Sequence, residues 1–183
     1  MAWILRIADS NDSKLLSELG KICFSEAFGK DNSEEDLKNY IETSFKEEDI
    51  KSELQNKEIT YLIGMDENNE AIGYAKLNRE EKPKELNGIV SIQLQRIYVR
   101  QKVKRKKLGS LMLEKCMEIA KNENRKFLWL TVWEENKIAI DFYFKWGFEI
   151  CGHRYFKIGK KITRSGTKIR NLGFPKFLRF RES

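Results

Sequence analysis

Histidine is almost absent from this chain, with His153 alone among 183 residues. A zinc site or a serine-hydrolase triad therefore has little to be built from, and no metal is expected. Cysteine is scarce as well. Cys23, Cys116 and Cys151 are odd in number, far apart and set in apolar patterns rather than at metal-ligand spacing, so they read as buried thiols. No apolar run approaches the roughly 20 residues that a membrane-spanning helix needs. The N-terminal MAWILRIADSND carries neither a basic leader nor a small-residue cleavage site. A soluble, cytoplasmic protein without a membrane partner is the expectation. There is no internal repeat or low-complexity linker, and the length suits one folded domain.

Charge is plentiful and unevenly placed. Residues 1–90 hold 12 Lys and Arg against 20 Asp and Glu, whereas residues 91–183 hold 23 against 8. Such a chain offers one surface to cations and another to anions. The acidic part reads as a short strand at Ile4–Ile7, then a helix capped within Asn11-Asp12-Ser13 and running through Phe28 to Gly29. A second helix opens at Ser33 and runs through Phe45, and a third helical piece covers Glu47–Gln55. Strands follow at Ile59–Met65 and Ala71–Leu77, with a turn at Asp66–Glu70 between them, and then a polar loop at Asn78–Gly88.

Between Ile89 and Val99 the apolar residues fall at even positions, Val90, Ile92 and Leu94, and then at odd ones, Ile97 and Val99; a β-bulge near Gln95-Arg96 would produce that change of phase. The segment IYVRQKVKRKKLGSLMLEKCMEIA, residues 97–120, then leads from strand through basic loop into an amphipathic helix beginning at Leu108. Helix N-termini present unpaired N–H groups and partial positive charge, so with Lys102, Lys104, Arg105, Lys106 and Lys107 beside it and Gly109 within it this junction suits a pyrophosphate. Phe127–Trp133 reads as a strand covered on both faces, which completes a βαβ unit. A short helix at Asn136–Trp146 is ended by Gly147, and Phe148–Ile158 is the next strand.

The phosphate junction and VWEENKIAIDFYFKWGF at 132–148 together resemble the GCN5-related N-acetyltransferase (GNAT) superfamily. There a strand-loop-helix cradles the pyrophosphate of coenzyme A, and an N-x-x-A-x-x-F-Y-x-x-x-G-F pattern follows, matched here at Asn136, Ala139, Phe142, Tyr143, Gly147 and Phe148. The resemblance covers about residues 3–158. It implies an α/β (α+β) fold, a mixed central sheet of six or seven strands with a bulged fourth strand and about four flanking helices. It implies acetyl-CoA as co-substrate: backbone groups of Ile97, Tyr98 and Val99 on the pantetheine, Lys104, Arg105, Lys106, Lys107, Leu108, Gly109 and Ser110 around the pyrophosphate, and Asn136 at the pantetheine or acetyl end. Tyr143 would protonate the leaving thiolate, a role within reach of a phenol of pKa about 10 against a thiol near 8.5.

Within the superfamily, RIYV, LGSLMLEK, LTVWEEN and GFEICGHRYFKIG look most like the bacterial spermidine/spermine N-acetyltransferases. That resemblance implies a small-molecule amine partner, a polyamine, attacked directly in a ternary complex. Other acceptors, such as a protein N-terminus or a lysine, and a binding module that has lost turnover remain alternatives. Nucleic acid is not the expected partner, and dimers are common in the superfamily. Three departures stand out. Lys104 and Lys107 occupy a Gln/Arg and a first-Gly position of the phosphate pattern. Gln93 and Gln95 stand where relatives often carry a basic Glu, leaving a water chain, Glu134 or His153 as candidates for the base. Finally, residues 159–183 form a basic tail beyond the 1–158 domain, with Lys160, Lys161, Arg164, Lys168 and Arg170 followed by Phe174, Phe177 and Phe180. That tail is either a divergent last strand or disordered.

Overall fold

The computed structural model describes residues 2–30, 32–158 and 161–172. Gly159, Lys160 and residues 173–183, with the Phe174, Phe177 and Phe180 series, lie outside them. Among the described residues seven strands are ordered β1-β2-β3-β4-β5-β7-β6 in one mixed sheet, and five α-helices are formed. The chain divides into two compact units, residues 1–78 with 94–116 and residues 79–93 with 117–183.

In the first unit β1 (Ile4–Ile7), β2 (Ile59–Met65) and β3 (Ala71–Asn78) pair antiparallel. Asp66 closes the β2–β3 hairpin by accepting from the N–H groups of Asn68 and Glu70, both at 2.9 Å, and Asn69 at φ 61° takes the left-handed position of the five-residue turn in place of a glycine. α1 (Ser13–Phe28) starts one turn later than its true cap. Asp9 and Asp12 form a capping box around the preceding turn, and Arg6 clamps Asp12 with two 2.7 Å bonds. α2 (Glu34–Ser44) is capped by Ser33, whose hydroxyl accepts from the Asp36 N–H at 3.1 Å, and α3 is Glu47–Gln55. Leu16, Leu19, Phe24, Phe45, Ile50 and Ile63 form the centre of its core. Gly20 is required there, because a Cβ would stand 2.5 Å from the Phe45 ring.

The second unit is built on β5 (Phe127–Trp133), whose Leu128, Trp129 and Leu130 are buried as a strand covered on both faces must be. Ser91–Gln93 of β4 (Ser91–Val99) run parallel to it, and the residues of β4 change from buried Leu94 to exposed Gln95 where the apolar phase shifts. β6 (Glu149–Ile158) and β7 (Lys161–Asn171) complete the sheet. β7 stands between β5 and β6, antiparallel to both. Lys168, which the sequence places in a run of surface cations, is 1% exposed and lies 4.1 Å from the centre of the Phe144 ring. Burial lowers its pKa from the ordinary lysine value, partly offset by the charge of Glu134.

α4 (Leu108–Asn122) and α5 (Lys137–Lys145) are the remaining helices. The end of α5 follows from backbone geometry. Gly147 adopts φ 72°, its N–H donates to Phe144 O at 2.8 Å, and the Phe148 N–H donates to Tyr143 O at 3.0 Å, the paired bonds of a glycine-terminated helix.

Candidate active site

The residues expected to hold coenzyme A fall together in the first unit: the end of β4, the loop after it and the first turn of α4. Strand backbone groups alternate in direction. The Arg100 N–H donates to Ile72 O of β3 at 2.8 Å, and a Cβ on Gly73 of β3 would stand 2.8 Å from Tyr98 O, so Arg100 and Tyr98 turn their backbone toward β3. Ile97 and Val99 therefore present theirs to the opposite edge, where an extended pantetheine arm could be bonded as an added strand. Tyr98 contributes its ring instead, packed at 5.8 Å from Tyr74 and edge-on to Phe24. Burial raises its hydroxyl above the usual phenol range.

The loop is anchored before it reaches the helix. Glu26 of α1 accepts from Arg100 Nε at 2.9 Å and from the Gln101 N–H at 2.6 Å, and Lys102 pairs with Glu70 at 2.6 Å. Burial would raise the Glu26 carboxyl, but those bonds hold it below its ordinary value. Val103 and Leu108 are buried, and Trp3 Nε1 donates to Lys106 O at 2.9 Å. Sequence alone gave no signal for Glu26 or Trp3, which lie 75 and 103 residues from their partners.

Beyond these anchors, Lys104, Arg105, Lys106 and Lys107 are exposed and form no ion pair with a carboxylate among the described residues. Arg105 and Lys107 adopt φ 66° and 70°, so lysine at the first-Gly position does take the left-handed conformation. The Leu111 N–H donates to Lys107 O at 3.1 Å, which makes Leu108, Gly109 and Ser110 the first turn of α4. Their N–H groups have no carbonyl partner within the helix. A Cβ built on Gly109 would meet only a Val99 methyl at 3.8 Å, so packing does not demand glycine there. Open space over a turn of N–H donors, with the exposed cations at 104–107 in the loop before it, fits a pyrophosphate.

The second unit carries Asn136 and Tyr143. Asn136 is the N-cap of α5, its Oδ1 accepting from the Ala139 N–H at 3.1 Å, so one of its amide groups is committed to the helix. Tyr143 is buried on α5 between Phe142 at 5.3 Å and Phe148 at 5.4 Å, both edge-on. Glu134 and His153, alternative bases in the sequence, bind one another at 3.0 Å, and both are partly exposed. Gln93 is buried with its Oε1 unpartnered among the described residues, whereas Gln95 is exposed. Burial foremost pushes the thiols of Cys23, Cys116 and Cys151 up to about 12, so each is protonated near neutrality and none is a ready nucleophile. No cluster of metal-binding side chains occurs among the described residues, nor is any described helix long and apolar enough to cross a membrane.

Residues 21–148 match the Acetyltransferase (GNAT) family. An uncharacterized N-acetyltransferase in the pepI 3'region of Lactobacillus delbrueckii subsp. lactis is 30% identical over 137 residues, covering 74% of this chain and 78% of that protein. The crystal structure of PaiA N-acetyltransferase from Thermoplasma acidophilum in complex with coenzyme A superimposes with a TM-score of 0.75 at 20% identity, covering 93% of this chain and 99% of that one. A probable acetyltransferase from Staphylococcus epidermidis gives a TM-score of 0.72 at 18% identity, with 93% and 99% covered. With the sheet, the strand-loop-helix junction and these likenesses in agreement, the chain belongs to the acetyltransferase (GNAT) family and is an acyltransferase enzyme.

Proposed function

We propose that the chain transfers acetyl from acetyl-CoA to a primary amine, with a polyamine such as spermidine or spermine as acceptor. The observation that carries the coenzyme is the first turn of α4, with its N–H donors, the open space at Gly109 and the four cations at 104–107. The likeness to a protein crystallised with coenzyme A supports it. Acceptor identity rests on the sequence resemblance to spermidine/spermine acetyltransferases.

When bound, acetyl-CoA supplies the thioester. Ile97 and Val99 would align its pantetheine, and the 104–110 segment would hold its pyrophosphate. The remaining amide group of Asn136 would steady the acetyl end, while Tyr143 would give its phenolic proton to the departing sulfur. With the cysteines protonated, direct attack by a neutral amine is favoured over an acyl-enzyme, and the chief gain is the mutual orientation of amine and thioester.

Calorimetric titration with acetyl-CoA, followed by a thiol-release assay with spermidine, a peptide N-terminus, a lysine peptide and an aminoglycoside, tests this reading. Binding with turnover on spermidine is expected. Turnover on the other amines alone would reject the polyamine, and absence of acetyl-CoA binding would reject the enzyme assignment of these residues.

A further inference from the structure

The strand register places Gln93, Trp129, Thr167 and Gly152 on one face of the second unit. Gln93 is the parallel partner of Trp129; Thr131, two residues along β5, is the partner of Thr167, and Thr167 in turn is the partner of Gly152. Paired residues share a face, and so do residues two apart on a strand. Trp129 and Thr167 are fully buried and Gln93 nearly so. Yet Gln93 Oε1, Trp129 Nε1 and Thr167 Oγ1 have no hydrogen-bond partner among the described residues. Buried polar atoms are ordinarily paired, so three on one face mark a place for a polar occupant.

Gly152 admits a charge to that row. A Cβ on it would stand 1.9 Å from Oε1 of Glu85, which reaches in from the loop before β4. The carboxylate thus takes the place of a residue-152 side chain, about 5 Å from the Cβ of its cross-strand partner Thr167. Among the described residues Glu85 has no salt bridge or hydrogen bond. Its charge raises the neighbouring Cys151 thiol, after burial itself. Arg154 lies on the same face, 5.0 Å from the Trp129 ring centre, with its guanidinium reaching the Lys82 carbonyl at 3.5 Å.

We propose that Glu85 and Thr167 dock the positively charged nitrogen of the acceptor amine, with Trp129 and Gln93 lining the path of the rest of the molecule. This assignment rests on the acetyl-transfer reading above. Carboxylate, hydroxyl and amide oxygens accept N–H bonds, and together they suit an alkylammonium and not an anion. Trp129 Nε1 adds a donor, which an uncharged amine nitrogen can accept from and an ammonium cannot. The Arg154 charge beside it disfavours a second ammonium there and so favours the neutral, nucleophilic form of a second nitrogen. A molecule carrying more than one amine fits both demands.

Titrating spermidine and, separately, acetyl-CoA into wild type, E85Q, E85D and T167V by calorimetry tests the site, with thiol release measured on the same samples. E85Q is expected to weaken spermidine by about ten- to hundredfold and T167V by about three- to tenfold, with E85D intermediate. Acetyl-CoA affinity should stay within about twofold in all variants. Unchanged spermidine affinity in E85Q, parallel loss of acetyl-CoA binding, or no spermidine binding by wild type overturns the site. Spermidine binding that depends on Glu85 without thiol release retains the site and rejects the acetyl-transfer reading. Thiol release that E85Q leaves untouched does the reverse.

Discussion

Lys107 and Arg105 hold the turn before α4, the proposed pyrophosphate site, in a left-handed conformation without glycine. A side chain in the left-handed region costs on the order of 1–2 kcal/mol, and both residues occupy it, at φ 70° and 66°. In return each places a cation beside the first turn of α4. K107G should therefore raise stability by about 0.5–1 kcal/mol, the relieved strain less the added freedom of glycine in the unfolded chain. The same substitution should weaken acetyl-CoA by removing a charge. Denaturant midpoints and calorimetric titration would show both; a K107G protein no more stable than wild type would mean that the turn is not strained. Tyr143 is the second position where one residue decides. Y143F keeps the ring contacts to Phe142 and Phe148 and removes the hydroxyl proposed as the acid, so kcat should fall at least about tenfold while the Kd for acetyl-CoA stays near wild type. An unchanged kcat would remove Tyr143 from the proton transfer.

At the scale of elements, ends and junctions carry the specificity. The acids of α2 and α3, Glu34, Glu35, Asp36, Glu47, Glu48 and Asp49, all sit in first turns, where the helix dipole favours negative charge. That position accounts for them without a cationic ligand, which is why the docking of an amine is assigned to Glu85 instead. Just beyond α4, Glu123 accepts from Arg79 Nε at 2.8 Å and from Arg125 Nε at 3.1 Å. The Arg79 hydrogen bond, above all, holds its carboxyl below the ordinary value. A depressed folded-state pKa gives stability that is present above the unfolded pKa of about 4.3 and is lost as pH falls through the folded value. E123Q should therefore be less stable than wild type at pH 7, and the gap should shrink as pH drops below about 4.3. Urea unfolding at pH 7 and pH 3 would measure it, and a gap independent of pH would show that the clamp adds nothing through charge.

For the whole molecule the charge asymmetry becomes a salt dependence. Arg100 and Lys102 are neutralised by Glu26 and Glu70, which leaves the cations at 104–107 to act on a polyanionic ligand. Exposed charges are screened within about 10 Å at 0.1 M salt and about 3 Å at 1 M. Acetyl-CoA should accordingly bind several-fold more weakly at 0.5 M than at 0.05 M salt, whereas its hydrogen bonds to strand and helix backbone should change little. Affinity that ignores salt would show that the 104–107 cations do not contact the ligand.

The sequence by itself determined the elements whose burial repeats with a period. β1, β2, α3 and β5 lie at the residues that the sequence marks, and so does the start of α4; β2, β5 and α4 do so by burying their own apolar side chains, whereas Ile4 and Ile7 of β1 stay exposed. The junction at 97–110 and the family motif were likewise legible, since the chemistry of a helix N-terminus needs residues close together in the chain. Only the tertiary structure decided the rest. β7 is poor in apolar residues and reads as a basic tail, yet its place between β5 and β6 buries Ser165, Thr167 and Lys168 through contacts that its neighbours supply. Glu26 under the loop and Arg79 on Glu123 are pairings of polar groups that only folding brings together, as is the approach of Glu85 to Gly152. Hydrophobic burial is written along a strand or helix as a pattern, whereas a charge finds its partner across the fold, at a distance that sequence spacing does not encode.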